Sequence, residues 1–230
     1  MIGKRAFWDA KILGWEADRY GPAAGPVSRE SRLGRPLRFR MTLARQLLLP
    51  QIDGKRVLEV GCGSARLAEG LLAGQPAFIK GIDLSIAAVD EGRRRLSAPI
   101  DQGKVALEAA DLGDVTVSGF DYVVGLGVLD WLSDAEILEL FTRVHPASLL
   151  FSISERRRSV VQILHRSYVW LTYGHRSQGY VPAYQTVPLI EALAKRAGYS
   201  RLHALRDPRL SFGVLLASWP ITLPSDIGAA

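Results

Sequence analysis

Arg56-Val57-Leu58-Glu59-Val60-Gly61-Cys62-Gly63-Ser64 is the stretch that decides the fold. Val57 to Val60 form a short apolar run of the kind that makes a buried strand. The run breaks into a turn holding two glycines, Gly61 and Gly63. Bare backbone at the carboxyl end of a buried strand lets a ligand approach where a side chain would obstruct it. In an open α/β sheet that end is where ligands bind. Twenty residues after Gly63, a second apolar run, Phe78-Ile79-Lys80-Gly81-Ile82, ends in Asp83-Leu84-Ser85. An acid at that spacing can accept hydrogen bonds from both hydroxyls of a ribose.

The same alternation continues outward. A helical stretch, Ala65 to Ala73, follows the first strand, and Ser85 caps a helix running to about Leu96. Val105–Ala109 and Tyr122–Leu126 read as the third and fourth strands. Ser133-Asp134-Ala135-Glu136 is a capping box opening a helix whose Ile137, Leu138, Leu140 and Phe141 face inward. Ser148–Ile153 is a fifth strand, and a helix follows at about Leu189–Gly198. Strands separated by helices imply a parallel sheet, because a parallel connection needs a crossover. The last two strands, Arg201–Leu205 and Phe212–Ala217, are joined by too short a turn for a crossover and should pair antiparallel. The expected fold is therefore α/β, Rossmann-like, with a mostly parallel seven-stranded sheet, helices on both faces and an antiparallel final strand.

The ligand is not a dinucleotide by its fingerprint, which wants Gly or Ala three residues after the second glycine, where this chain has Arg66. Glu59, two residues before Gly61, suits a cationic or amine-bearing ligand better than a pyrophosphate. No Gly-Lys-Ser/Thr follows, so a P-loop is absent.

Taken together, these residues resemble the class I S-adenosylmethionine-dependent methyltransferases. Val57–Ser64 is similar to that family's first motif, Gly81–Ser85 to its second-strand motif, Ala110-Asp111-Leu112 to its adenine-contacting segment, and Phe120–Leu129 to its fourth-strand motif. The resemblance covers about residues 50 to 219. It implies that Glu59, Gly61, Cys62 and Gly63 cradle the methionine part of S-adenosylmethionine, with Cys62 a small filler in the loop. Asp83 and Leu84 would hold the ribose, Asp111 and Leu112 would contact adenine, and Gly127 would lie near the sulfonium. The Pro-Pro-Tyr-type motif of base and glutamine N-methylation is missing, and Cys62 is in the wrong motif for a cytosine-methylating nucleophile. Both absences point to the small-molecule branch. The fourth-strand region, Phe151–Ser154 and the aromatic segment after it also resemble magnesium-protoporphyrin and ubiquinone-pathway methyltransferases.

Composition agrees with a globular domain: 230 residues, 48% hydrophobic and 23% charged. No run approaches the ~18 apolar residues of a membrane span, and the first residues lack the apolar core of a secretory signal. One cysteine excludes an intrachain disulfide framework, and the simplest address is the cytoplasm. The net charge of +6 rests on an excess of arginine, 23 of the 29 basic residues. The arginines fall in scattered groups, Arg32/Arg35/Arg38/Arg40/Arg45, Arg93–Arg95 and Arg156–Arg158, as solvated faces do.

Two parts lie outside the shared core. Residues 1–50 form a lead-in with Trp8, Trp15 and Tyr20, a loop at Gly21–Pro26, and a helix from Pro36, which suits a first helical position, to Leu49. Residues 51–230 form the cofactor-binding domain, with an insert at about 155–188 carrying His165, Tyr168, Trp170, Tyr173, His175, Tyr180 and Tyr184. An amphipathic helix from about 157 to 173 is expected there. In the resembled family such segments cover the cofactor and build the acceptor pocket. A hydroxyl acceptor must lose a proton, so the candidate catalytic residues are His165, His175 and Asp130, with Tyr20 as a cofactor cover. No metal site is expected. The partner implied is a small-molecule acceptor, acidic or aromatic, methylated on oxygen, with no nucleic acid or membrane span; a homodimer through the aromatic surface also fits. Two other readings stay open: an RNA or protein methyltransferase using the arginine groups, and a non-catalytic cofactor-binding protein.

Overall fold

The structure is a computed structural model and describes residues 4–20, 29–157, 162 and 182–224. Two helices come first, α1 (Lys4–Tyr20) and α2 (Arg29–Leu48). Then follow β1 (Arg56–Val60), α3 (Arg66–Leu71), β2 (Phe78–Asp83), α4 (Ile86–Arg95), α5 (Ser97–Asp101), β3 (Val105–Ala109) and β4 (Tyr122–Leu126). The chain continues through α6 (Asp134–Val144), β5 (Ser148–Ser154), α7 (Val187–Arg196), β6 (His203–Leu205) and β7 (Gly213–Ala217). The strands form one sheet in the order β3-β2-β1-β4-β5-β7-β6. All pairings are parallel except those of β7, which runs antiparallel to both β5 and β6.

Strand alternation builds two cores. Leu58, Val123, Leu149 and Phe151 point to one face and pack under α6 and α7 with Ile137, Phe141 and Ile190. Val57, Ile79, Val124 and Leu150 point to the other and meet Leu43 and Leu48 of α2, Leu67 and Leu71 of α3, and Val89 of α4. The capping box opens α6 as its sequence requires, with the Ser133 hydroxyl accepting from the Glu136 N–H and the Glu136 carboxylate accepting from the Ser133 N–H. Ser85 caps α4 by accepting from the Ala88 N–H.

The strand order reverses between β1 and β4, so their carboxyl ends diverge and leave a crevice above the sheet. Register fixes what meets there: Val60 lies opposite Ile82 and Glu59 opposite Val124. The glycine turn, Asp83 and Gly127 therefore emerge side by side.

The lead-in differs from its expected form. The second helix begins at Arg29 and carries Pro36 inside it. Proline's fixed φ is helical, so the ring fits there at the cost of a missing N–H bond. A whole further helix, α1, precedes it and packs along it, with the Arg38 guanidinium donating to the Arg19 carbonyl at 2.9 Å. The expected 157–173 helix lies outside the described residues. Among the described residues, no helix is long and apolar enough to cross a membrane.

Candidate active site

Gly61 and Gly63 both take left-handed backbone, with φ of +68° and +53°, which glycine adopts without steric cost. The turn is tied to β2 by backbone: the Gly61 and Cys62 N–H groups both donate to the Ile82 carbonyl, at 2.8 and 3.1 Å. Asp83 completes the tie. One carboxylate oxygen accepts from the Gly63 N–H at 2.8 Å and the other from the Ser85 N–H at 2.9 Å. The second reason for glycine differs from the one the sequence suggested. A Cβ on Gly61 would press on Val128 at 3.0 Å, and one on Gly63 would collide with the carboxylate of Glu16 on α1. The space at these glycines is claimed by the protein's own side chains.

Glu59 is buried at 5% exposure, and its carboxylate accepts the Ala68 N–H at 3.0 Å. Burial drives its pKa from 4.5 up to about 8, with the negative charges of Glu16 and Asp83 adding to the rise. Burial also raises the Asp83 pKa, against the lowering effect of its two backbone hydrogen bonds. A buried and a half-buried acid, both with raised pKa values and lining one crevice, describe a site that gains by admitting a cation.

The crevice is a cavity of about 470 Å³, within the range of small-molecule sites. It brings together every residue expected to hold the cofactor: Glu59, Gly61, Cys62, Gly63, Asp83, Leu84, Asp111, Leu112, Gly127 and Tyr20. Asp111 also caps its own turn, accepting from the Gly113 N–H at 3.2 Å. Asp130 lies in the same lining, 5% exposed. Its carboxylate accepts the Ser154 N–H at 2.9 Å and the Ser154 hydroxyl at 2.7 Å, bracing the turn after β4 against the end of β5. Burial raises its pKa to about 6, against the lowering effects of those hydrogen bonds and of the Arg40 charge. His165 and His175 lie outside the described residues.

Several residues that complete the cavity escaped the sequence reading. Lys4, Ile12 and Glu16 line it from α1 beside the already named Trp8, Trp15 and Tyr20, a stripe at spacings of three and four that marks one helical face. That spacing was the signal that could have found α1. Trp131 sits under it, with its ring 4.7 Å from that of Trp8 and 5.9 Å from that of Phe7. Arg40 of α2 also lines the cavity. Its Nε is buried without a hydrogen-bond partner, and its guanidinium lies 3.1 Å from where a Cβ on Gly127 would stand. Nothing in the scattered arginines singled Arg40 out, because only the fold carries it to the mouth of β4.

Residues 57–147 match the family described as a methyltransferase domain. The match covers about two-fifths of the chain. Its β1 turn, β2 acid and β4 glycine all fall within the matched span. Among curated relatives, the ubiquinone biosynthesis O-methyltransferase of Neisseria meningitidis serogroup C is 28% identical over 119 residues, which is 49% of this chain and 50% of that protein. The protein of the same name from Alkalilimnicola ehrlichii is 34% identical over 84 residues, covering 36% of this chain and 34% of the relative. The chain thus matches half or less of the length of these relatives. Among solved structures, the magnesium protoporphyrin IX methyltransferase of Synechocystis with bound SAH superposes with a TM-score of 0.71 at 17% identity, over 93% of this chain and 96% of that one. The pyocyanin biosynthetic protein PhzM does so with a TM-score of 0.61 at 17% identity, over 88% of this chain and 60% of that one. The fold shared with the Synechocystis structure extends beyond the matched span, over 93% of this chain.

The site's donors and acceptors fit S-adenosylmethionine group by group. The acids Glu59 and Asp83 suit its cationic part, and the unpartnered Nε of Arg40 suits its carboxylate.

Proposed function

We propose that the protein transfers a methyl group from S-adenosylmethionine to an oxygen of a small, acidic or aromatic acceptor. The observation that carries this reading is the convergence of Glu59, Gly61, Gly63, Asp83, Asp111 and Gly127 on one cavity at the strand-order reversal. The curated relatives' names and the resemblance in fold to a protein solved with SAH support it.

Bound there, S-adenosylmethionine supplies an electrophilic methyl on a sulfonium, open to in-line attack. The chain's work is to position and to exclude water. Asp83, and Glu59 once it gives up its proton, favour a cation in the crevice, and Arg40 offers a guanidinium to a carboxylate beside Gly127. The aromatic stripe of α1 and Trp131 cover the site and offer flat apolar surface to an aromatic acceptor. Asp130 is the described residue best placed to take the acceptor's proton. It is buried in the cavity wall, and a pKa of about 6 leaves it ionised at neutral pH. His165 and His175 stand as further candidates for that role.

The test is transfer of tritiated methyl from S-adenosylmethionine to a whole-cell extract, separated afterwards into small-molecule, RNA and protein fractions, by the wild type and by Asp83→Ala. Label in an acidic or aromatic compound, lost in the variant, is the expected result. Label confined to RNA or protein overturns the choice of acceptor.

A further inference from the structure

α1 is more than a cover, because one of its acids reaches into the machinery of the glycine turn. Glu16 is 6% exposed, the one charged residue among the buried positions of α1. Its carboxylate accepts the Ser64 N–H at 3.0 Å and the Ser64 hydroxyl, and it pairs with the Arg66 guanidinium at 3.5 Å. It occupies the space a side chain on Gly63 would need, so the residue that follows Gly63 in sequence is held by a helix 48 positions earlier. The other ties of α1 are more exposed. Asp9 accepts from the Ser85 hydroxyl at 2.8 Å and the Ala87 N–H at 3.2 Å, at the start of α4. Lys4 pairs with Glu136 at 2.8 Å with both side chains more than two-fifths exposed, and such surface pairs contribute little.

A ligand that reaches Glu59 and the glycine turn lies beside Glu16 and Ile12 of the stripe that α1 contributes to the lining. The cavity opens to solvent at the exposed Asp111 and Gly113, and α1 covers its end over the glycine turn. A buried carboxylate with three donors is the costliest of the α1 contacts to break, since parting leaves buried charge and N–H groups unpaired. Resting on the reading of the crevice as the cofactor site, we propose that Glu16 is a latch: it pins α1 over the glycine turn through Ser64 and Arg66, and the end of the cofactor that lies on that turn seats and leaves only when this carboxylate lets go. Glu16 is thus a positioning residue that sets the exchange rate of the cofactor through the glycine turn.

Stopped-flow tryptophan fluorescence tests this directly, because Trp8 and Trp15 ride on α1 and Trp8 abuts Trp131. S-adenosylmethionine alone is the ligand, with no acceptor. In the wild type the observed association rate should level off with rising concentration, at the rate of latch opening. In Glu16→Ala it should keep rising, with association about tenfold faster, equivalent to ~1.4 kcal/mol. Trypsin cleavage at Lys11 and Arg19 without cofactor should accelerate by about the same factor, while the main thermal transition stays in place. Ser64→Ala removes one donor and should shift both rates the same way by less, which keeps the test open if Glu16→Ala fails to fold. Unchanged association and cleavage in these variants overturn the latch. So does weaker binding with association and cleavage unaltered, which would make Glu16 a direct ligand. If the wild type binds no S-adenosylmethionine, the cofactor reading fails, and the cleavage rates alone still decide whether Glu16 fastens α1.

Discussion

Replacing Glu59 with glutamine should make the protein more stable in alkaline solution and leave it unchanged in acid. Glu59 sits at the end of β1 with 5% exposure and one backbone donor, the Ala68 N–H. Its pKa rises from 4.5 to about 8 through burial, with Glu16 and Asp83 repelling its charge. An acid with a raised pKa binds its proton more tightly in the folded chain than in the unfolded one. Its stabilising contribution is therefore complete below about pH 4.5 and is lost as pH climbs toward 8. At 1.36 kcal/mol per pH unit, the loss by pH 8 comes to about 4 kcal/mol. Glutamine keeps the shape and the acceptor for Ala68 but cannot ionise. Glu59→Gln should exceed the wild type by less than about 1 kcal/mol at pH 5 and by about 4 kcal/mol at pH 8, the latter ~8–16 °C in melting temperature for a domain of this size. Thermal melts of both proteins from pH 5 to 9 make the comparison, and other titrating groups cancel in the difference. Titration with S-adenosylmethionine gives the functional counterpart: affinity should rise with pH in the wild type, as ionised Glu59 favours a cation, and stay flat in the variant. Parallel melting profiles, or a variant less stable at pH 8, would refute the assignment of a buried, strained carboxylate at this position.

Other substitutions probe the remaining groups. Asp83→Ala should weaken S-adenosylmethionine binding by ~1–3 kcal/mol, about 5- to 150-fold by calorimetry, through the lost charged hydrogen bonds and the loosened Gly63 turn. Asp130→Asn should lower methyl transfer by about 10²–10⁴-fold. It should also abolish the acidic limb that the wild-type rate shows as pH falls through about 6. Retention of that limb would assign the proton to another residue. Arg40→Met should weaken S-adenosylmethionine at least tenfold more than S-adenosyl analogues lacking the carboxylate, read by competition binding, if its buried Nε receives that group.

The sheet was legible because each of its signals is local. The apolar run Val57–Val60, the Ser85 cap and the Ser133–Glu136 capping box each specify an element from a few adjacent residues. The short Arg206–Arg209 turn dictated the antiparallel close in the same way. The cofactor loop was legible for a related reason, since glycines and an acid at fixed offsets have few other uses. The roof of the cavity was not. α1 has a polar exterior and only three buried residues, one of them a glutamate, so its apolar stripe is thin. Pro36 read as a helix start because a proline in a first turn costs nothing, and only packing against α1 and the sheet holds α2 together around it. Arg40 and Glu16 act through groups brought near from distant sequence, Gly127 and Ser64. No offset in the chain encodes those contacts.

The central claim is that this crevice holds S-adenosylmethionine. A crystal structure of the protein grown with that compound tests it most directly. The adenosyl group should lie between Asp83 and Leu112, its sulfonium by Gly127, with α1 closed above it. A crevice that stays empty at saturating S-adenosylmethionine, or that takes a nicotinamide or flavin nucleotide in its place, would contradict it.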